Sequence, residues 1–558
     1  MRVLPRALRL AYRRRASARR HGCGRVPLRP PTPPEYAVTS PSPPVPRPAA
    51  RLAAAVAALA LLVYLGALVN GFALDDVGLV ADNPLVHHPS GLWRAFAMPY
   101  WPPALGGYRL YRPFAVATYT LDWLVAAGHA WWFHAVNVAW HAGSSVAVAL
   151  LARRWVSEAG GWIAGALFAV HPVHVEAVAN VIGRTELMAA MFSILAVWLA
   201  VERDRLGASA FAWVLGLLTK ETAAVVPGLV AAAWLLDIRR PPRRRIATYL
   251  AVWCVIAVIV GLVREVVLRP YSGVPGTAIV FRDQSPLTVR LTAIAALGDV
   301  ARLLVFPLKL RVDYSPNERT AVTSVGDLRF IAGLVCLVSW AALLWLMWRR
   351  HRRIEAFGLA WIGIALTPVA NVFFRTGVLV AERTLYLPSA GLALAAGAWF
   401  GAWWKGAGTL ARQVAAAGVA GAILAGGVRA AMRVPVWKST NEVYQSIVRD
   451  SPRSYAGPMF GGVLAESDGR YADALDAFRR AAQILPTDNR LTLRAAELAY
   501  RLGRPALADT LLARIDSTCV HCETFFQAAA INARARGLTT VADSLLRHLA
   551  ALKTARGR

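Results

Sequence analysis

Lysine is almost missing from this chain: five residues against 57 arginines among its 558. Acid is scarce too, 32 Asp and Glu against 62 Lys and Arg, for a net charge of +30. Five cysteines are too few for a disulfide framework. Cys254 and Cys336 fall inside apolar runs and read as inert core thiols. Cys519-Val-His-Cys522 is a lone CxxC, a weak zinc signal without a second pair, and fits a local disulfide or two ordinary thiols. The metalloprotease HExxH is absent, and so is any nucleic-acid motif beside the positive charge, so nucleic acid is not an expected partner.

What is present is apolar sequence. The chain is 57% hydrophobic, with mean hydropathy +0.44, and apolar runs recur at about the length that crosses a bilayer. Basic clusters abut them, at Arg239–Arg245 and Arg349–Arg353, which is the positive-inside pattern with affinity for anionic headgroups. This excludes a soluble enzyme and predicts an all-α, polytopic membrane protein. Residues 1–51 hold twelve Arg and one Glu among many Pro and Ser, the composition of a disordered cytoplasmic tail. With that tail inside, about eleven spans follow, near 52–70, 132–152, 160–176, 186–202, 206–219, 221–237, 247–266, 327–348, 356–374, 385–403 and 408–430. Segments 111–127 and 288–306 are read as interfacial or re-entrant, since treating either as a span inverts everything downstream.

From about residue 433 the sequence becomes mixed and helical. Gly469, Gly503 and Gly537 are spaced by 34, as are Ala474, Ala508 and Ala542. That period reads as about three tetratricopeptide-like repeats, a short extracytoplasmic domain over 433–558 after a membrane domain over 52–432.

The polar residues inside apolar sequence carry the functional signal, because charge at bilayer depth is costly. Asp75-Asp76 follow the first span directly, where a carboxylate can take a proton from a hydroxyl. Arg112 is a natural phosphate clamp or a headgroup anchor. His134, Asn137 and His141 share one helical stripe and fit interhelical hydrogen bonding. His171-Pro-Val-His174-Val-Glu176 could suggest a metal, but Pro172 breaks the helix between the histidines. Arg184, Glu186, Lys220 and Glu221 look like a charge network around an anionic ligand, with Lys220-Glu221 at a break between two apolar halves. Glu382-Arg383-Thr-Leu-Tyr386 begins a late span, Arg383 as a phosphate contact and Tyr386 along a lipid path. The polar island Phe306–Ser315 has no independent account in the sequence.

In this order, Leu74-Asp-Asp, Tyr111-Arg-Pro, His171-Pro-Val-His-Val-Glu, Gly183-Arg-Thr-Glu, Leu218-Thr-Lys-Glu and Glu382-Arg-Thr-Leu-Tyr-Leu-Pro, followed by repeats, these segments resemble the transmembrane and tetratricopeptide O-mannosyltransferases and their bacterial relatives. The resemblance spans residues 50 to about 550. It implies the GT-C glycosyltransferase fold and transfer of a sugar, typically mannose, from a polyprenyl-phosphate carrier to Ser or Thr hydroxyls of an extracytoplasmic protein, with inversion and no essential metal or other cofactor. Asp75 becomes the expected base, with Asp76 as second candidate. Arg112, Arg184, Lys220 and Arg383 become ligands of the lipid phosphate, Arg184 foremost, and His171, His174, Glu176, Glu186, Glu221 and Tyr386 complete the donor site. The partners are the lipid-linked donor, an acceptor protein or peptide, and membrane lipid. Two features depart from the family: the repeats are far fewer than in animal members, and the tract at 281–286 reads Phe-Arg-Asp-Gln-Ser-Pro where Asn-Pro is expected. Scarce lysine and the family's bacterial branches suggest a bacterial inner membrane with the site facing the periplasm. A transporter or flippase of lipid-linked sugar, needing no base, and a repeat-based scaffold are the competing readings.

Overall fold

The computed structural model describes residues 48–103, 109–271, 277–314, 317–515 and 522–556, with the side chains of 522, 555 and 556 left aside. The basic tail and Cys519 lie outside the described residues, as do Ser315 and the side chain of Cys522. The described chain is helical, without strands. Seven helices are long and apolar enough to cross a membrane, and eight if the bent pair Glu158–Val170 and Pro172–Ala179 counts as one span.

Contacts fix which helix ends lie together. At one end, Arg154 and Arg239 both meet Glu202 (2.5 and 2.7 Å), Arg245 meets Asp204 (3.0 Å) and Arg353 meets Asp237 (2.9 Å). At the other, Asn70 Nδ2 donates to the Val434 carbonyl (3.3 Å), His134 Nε2 to that of Gly71 (3.1 Å) and His171 Nε2 to that of Leu304 (2.9 Å), while Arg109 meets Glu265 (2.6 Å). Between these ends run Pro48–Tyr64, Ala130–Trp155, Glu158–Val170, Arg184–Val201, Leu206–Thr219, Val226–Leu235, Arg243–Leu268, Leu328–Arg349, Arg353–Leu366, Tyr386–Gly406 and Thr409–Arg433. Of these eleven helices, Glu158–Val170, Leu206–Thr219, Val226–Leu235 and Arg353–Leu366 are too short to cross a membrane alone. Leu206–Thr219 has 14 residues, about 21 Å at 1.5 Å per residue, against a hydrocarbon core of about 30 Å. Lys220, in extended conformation at its end, therefore stops short of the depth a full span would reach.

Small residues let two of these helices close up on each other. A Cβ on Gly358 would lie 2.5 Å from the Gly391 carbonyl oxygen, and one on Gly391 equally close to that of Gly358. Helices Arg353–Leu366 and Tyr386–Gly406 thus touch backbone to backbone, as small-residue interfaces in membranes allow. Lipid-facing helices contrast with this: Arg243–Leu268 is mostly exposed, and Cys254 sits on its exposed surface rather than in a core. The thiol was expected to be buried because an apolar run does not tell lipid from protein.

After Thr409–Arg433 the chain forms helices Thr440–Asp450, Ala456–Ser467, Tyr471–Ile484, Asn489–Arg501, Pro505–Leu512, Cys522–Ala535 and Thr539–Arg556. Gly469, Gly503 and Gly537 have φ of 76°, 69° and 76° and close the turn inside each of three hairpins. Ala474, Ala508 and Ala542 are fully buried where the hairpin helices cross. Bundle and hairpins share one compact unit.

Candidate functional site

The candidate site is built around the turn after Pro48–Tyr64. Asp75 and Asp76 are adjacent but face opposite ways. Asp76 is buried. Its Oδ2 accepts the N–H groups of Ala73 and Val181 (both 3.2 Å) and its Oδ1 that of Ile182 (2.9 Å). These three bonds tie the buried carboxylate to this turn and to the start of helix Arg184–Val201, which leaves it ill placed as a second base. Asp75 instead has open surface. Loss of hydration against the neighbouring protein raises its carboxyl above the ordinary aspartate value; Arg383 draws it back and Glu176 pushes it further up.

The segment after Glu158–Val170 delivers the next residues. Pro172 ends that helix, and the chain winds through short turns Pro172–His174, Val175–Ala179 and Val181–Gly183 before Arg184–Val201 begins. Glu176 leaves this coil toward Arg383: its Oε2 accepts the Arg383 N–H (2.8 Å), and its Oε1 accepts the Arg383 guanidinium. Lys220 Nζ donates to Glu186 Oε1 at 2.5 Å. Arg112 donates through Nε and a terminal nitrogen to Glu221 Oε2 (3.1 and 2.9 Å) and lies over the Tyr100 ring. Arg383 and Lys220 feel each other's charge, and Glu186 acts on Arg112, Lys220 and Arg383 alike. Asp75, Arg112, Glu176, Glu186, Lys220, Glu221 and Arg383 therefore form one electrostatic cluster, drawn from five separate stretches of chain.

Arg184 does not belong to it. The side chain is wholly buried. It is paired with Asp122, donates to Asn137 Oδ1 (2.8 Å) and the Phe133 carbonyl (3.0 Å), and packs over the Tyr119 ring. These partners spend its donors on holding helices Pro113–Ala126 and Ala130–Trp155 to its own. A phosphate role requires free donors, so the assignment is corrected to a structural one.

Tyr386 is corrected too. It is buried, not on a lipid-facing path, and its hydroxyl donates to His141 Nδ1 (2.8 Å), since His141 Nε2 donates to the Ala169 carbonyl (3.0 Å). His174 Nε2 donates to Ser389 Oγ (2.7 Å), whose own proton goes to the Tyr386 carbonyl (2.7 Å). His171 Nδ1 accepts the Val173 N–H (3.3 Å) while Nε2 serves Leu304. The two histidines thus lock helix ends rather than face the cluster. Among the described residues, no three His, Cys, Asp or Glu side chains are grouped to hold a metal ion.

Sequence reading missed Asp122, the partner of Arg184, and named Glu382 without giving it a role; it is a buried carboxylate whose Oε1 accepts the Arg311 N–H (2.5 Å) and the Tyr314 hydroxyl (2.8 Å). Glu382 gives the polar island its account: residues 311–314 brace the element that carries Arg383. The neighbouring Glu382-Arg383 pair was the available signal.

Fold and site together define an all-helical polytopic membrane protein with a cluster of paired charges at one end of its bundle. Its sequence is similar to those of the TMTC protein O-mannosyltransferases. A protein O-mannosyl-transferase of Caenorhabditis elegans is 26% identical over 349 residues, covering 60% of this chain and 49% of that protein. Protein O-mannosyl-transferase TMTC3 of Mus musculus is 26% identical over 59% of this chain and 40% of its own length, and TMTC4 of Homo sapiens 27% over 71% and 61%. The chain spans about half the length of the curated relatives it matches. No family model matches. Among solved structures, ArnT from Cupriavidus metallidurans bound to undecaprenyl phosphate is 14% identical, covering 85% of this chain and 80% of its own, with a TM-score of 0.39.

Proposed function

We propose that this chain is a membrane glycosyltransferase of the GT-C type that moves a sugar, mannose by analogy with the names of its relatives, from a polyprenyl-phosphate carrier to Ser or Thr hydroxyls of protein. The site and hairpins then face the periplasm of a bacterial inner membrane. The observation that carries the reading is the division of labour between two neighbouring acids: Asp76 is held by backbone N–H groups, whereas Asp75 is exposed and within electrostatic reach of Arg383.

Asp75 takes the proton of the acceptor hydroxyl as its oxygen attacks the anomeric carbon. The bond from that carbon to the carrier phosphate breaks on the opposite face, which inverts the centre. The leaving phosphate gains negative charge. Arg383 and Lys220, with Arg112, stabilise it there because fixed cations in a water-poor site act more strongly than in solvent. Glu176, Glu186 and Glu221 hold these cations in place before the donor arrives. No cofactor enters this scheme.

The test is turnover of purified full chain with polyprenyl-phosphate mannose and a Ser/Thr peptide. Asp75→Asn is expected to lower turnover by about 10²–10⁴-fold, the usual weight of a general base, with donor binding retained. Unchanged turnover in Asp75→Asn overturns the reading and favours a transporter, which needs no base.

A further inference from the structure

Asp75 follows a residue under backbone strain. Leu74 has φ of 50°, in the left-handed region that a branched apolar side chain rarely enters. Such a conformation persists only where the surroundings hold it. What holds it comes from the far C-terminal side of the chain: the Leu74 N–H donates to Thr440 Oγ1 at 3.0 Å. Two more bonds come from the same stretch. The Gly71 N–H donates to the Lys438 carbonyl (2.9 Å) and Asn70 Nδ2 to that of Val434. The turn carrying Asp75 is thus shaped by the segment joining the bundle to the hairpins.

The stretch that braces Arg383 is gripped from the same region. Ser451 Oγ donates to the Asp313 carbonyl (2.7 Å) and Ser454 Oγ to Asp313 Oδ2 (2.8 Å). The buried Glu318 pairs with both Arg311 (2.6 Å) and Arg453 (3.1 Å). Arg311 and Tyr314 in turn hold Glu382, one residue before Arg383.

We infer that residues 434–454 are a clamp that sets Asp75 against Arg383, with Thr440 as its positioning residue, so that the C-terminal hairpins help to shape the reacting geometry whatever acceptor they bind. The inference rests on the reading of Asp75 as base. Simple domain packing would also join these surfaces, but it would not need a side-chain hydroxyl at the strained residue.

The experiment uses the full chain with polyprenyl-phosphate mannose and a short Ser/Thr peptide, and follows deuterium uptake at 71–77 in parallel. Thr440→Val keeps the side chain's shape and removes the acceptor. It is expected to cut kcat about 10-fold or more, as small misplacements of reacting groups do, to leave donor KM within about 2-fold, and to raise exchange at 71–77. Thr440→Ser should restore both readouts, and Ser454→Ala should lower kcat through the 311–314 loop without changing exchange at 71–77. Wild-type kcat and exchange in Thr440→Val overturn the clamp, as does a Thr440→Ser variant as impaired as Thr440→Val. If the unaltered chain transfers and Asp75→Asn does not, those results remove the clamp alone; if the unaltered chain transfers nothing, the functional reading and the clamp fall together.

Discussion

At the end of the bundle away from Asp75, two arginines meet acids in open surroundings: Arg245 and Asp204, like Arg353 and Asp237, are both well exposed, while Glu202 is buried under Arg154 and Arg239. At the Asp75 end the same kinds of side chain are taken out of water. Arg184 with Asp122 and Lys220 with Glu186 are buried pairs. What separates these two kinds of pair is desolvation. A surface pair next to headgroups costs little and contributes little. A buried pair must offset the loss of hydration by good geometry, so burying several together marks a built site. Within that end a second distinction follows. Arg184 is closed on all sides, whereas Arg383 keeps about a third of its side-chain surface free beside Asp75, and only the latter can meet a ligand.

The sharpest test of this contrast is Asp122→Asn. It leaves the Arg184 guanidinium buried without its counter-ion, and removing one partner of a buried pair costs about 3–5 kcal/mol. Thermal unfolding in detergent should show a large fall in Tm, with Arg184→Ala similar and the double variant Asp122→Asn, Arg184→Ala recovering part of it. A Tm within error of the unaltered chain would place Arg184 back among residues free to bind donor.

A smaller effect is expected from pH. Burial pushes the Asp76 carboxyl up to about 7, although the N–H groups of Ile182, Ala73 and Val181 draw it down. A carboxyl raised in the folded state binds more protons there than in the unfolded chain. Its stabilising contribution is full below about pH 4 and is lost as pH rises through about 7. The slope in that window is at most on the order of 1 kcal/mol per pH unit. Tm should fall from pH 5 to 8 in the unaltered chain and stay flatter in Asp76→Asn; a profile unchanged by Asp76→Asn would return Asp76 to the status of an ordinary acid.

How far the site was legible from sequence follows the same line between local and distant partners. The break at Pro172, the gap at Lys220-Glu221 and the turn glycines 469, 503 and 537 are set by neighbouring residues, and the structure has them where the pattern put them. Arg112, Glu176, Glu186, Lys220, Glu221 and Arg383 could be singled out because charge is costly in apolar sequence. Their convergence could be guessed, but not their pairing. Arg184 was misjudged because its partner Asp122 lies in another helix, and a lone arginine in a motif looks the same whether its donors are free or spent. Asp75 and Asp76 could not be separated, since the amide groups that hold Asp76 belong to residues 181 and 182. The 306–315 island had no account because its partners, Glu382, Ser451 and Ser454, lie far along the chain.

The smallest expected effect sits at the opposite end and calibrates the others. Asp204→Asn removes the acid that meets Arg245 at 3.0 Å, a pair with both members well exposed. Exposed pairs contribute about 0–1 kcal/mol and are screened by salt. Arg245 can exchange its protein partner for water or an anionic headgroup. Tm should therefore shift little, turnover should stay unchanged, and the difference should shrink further at high ionic strength. A fall comparable to that of Asp122→Asn would mean that both kinds of pair bury their charge alike in the membrane, and desolvation would no longer tell them apart.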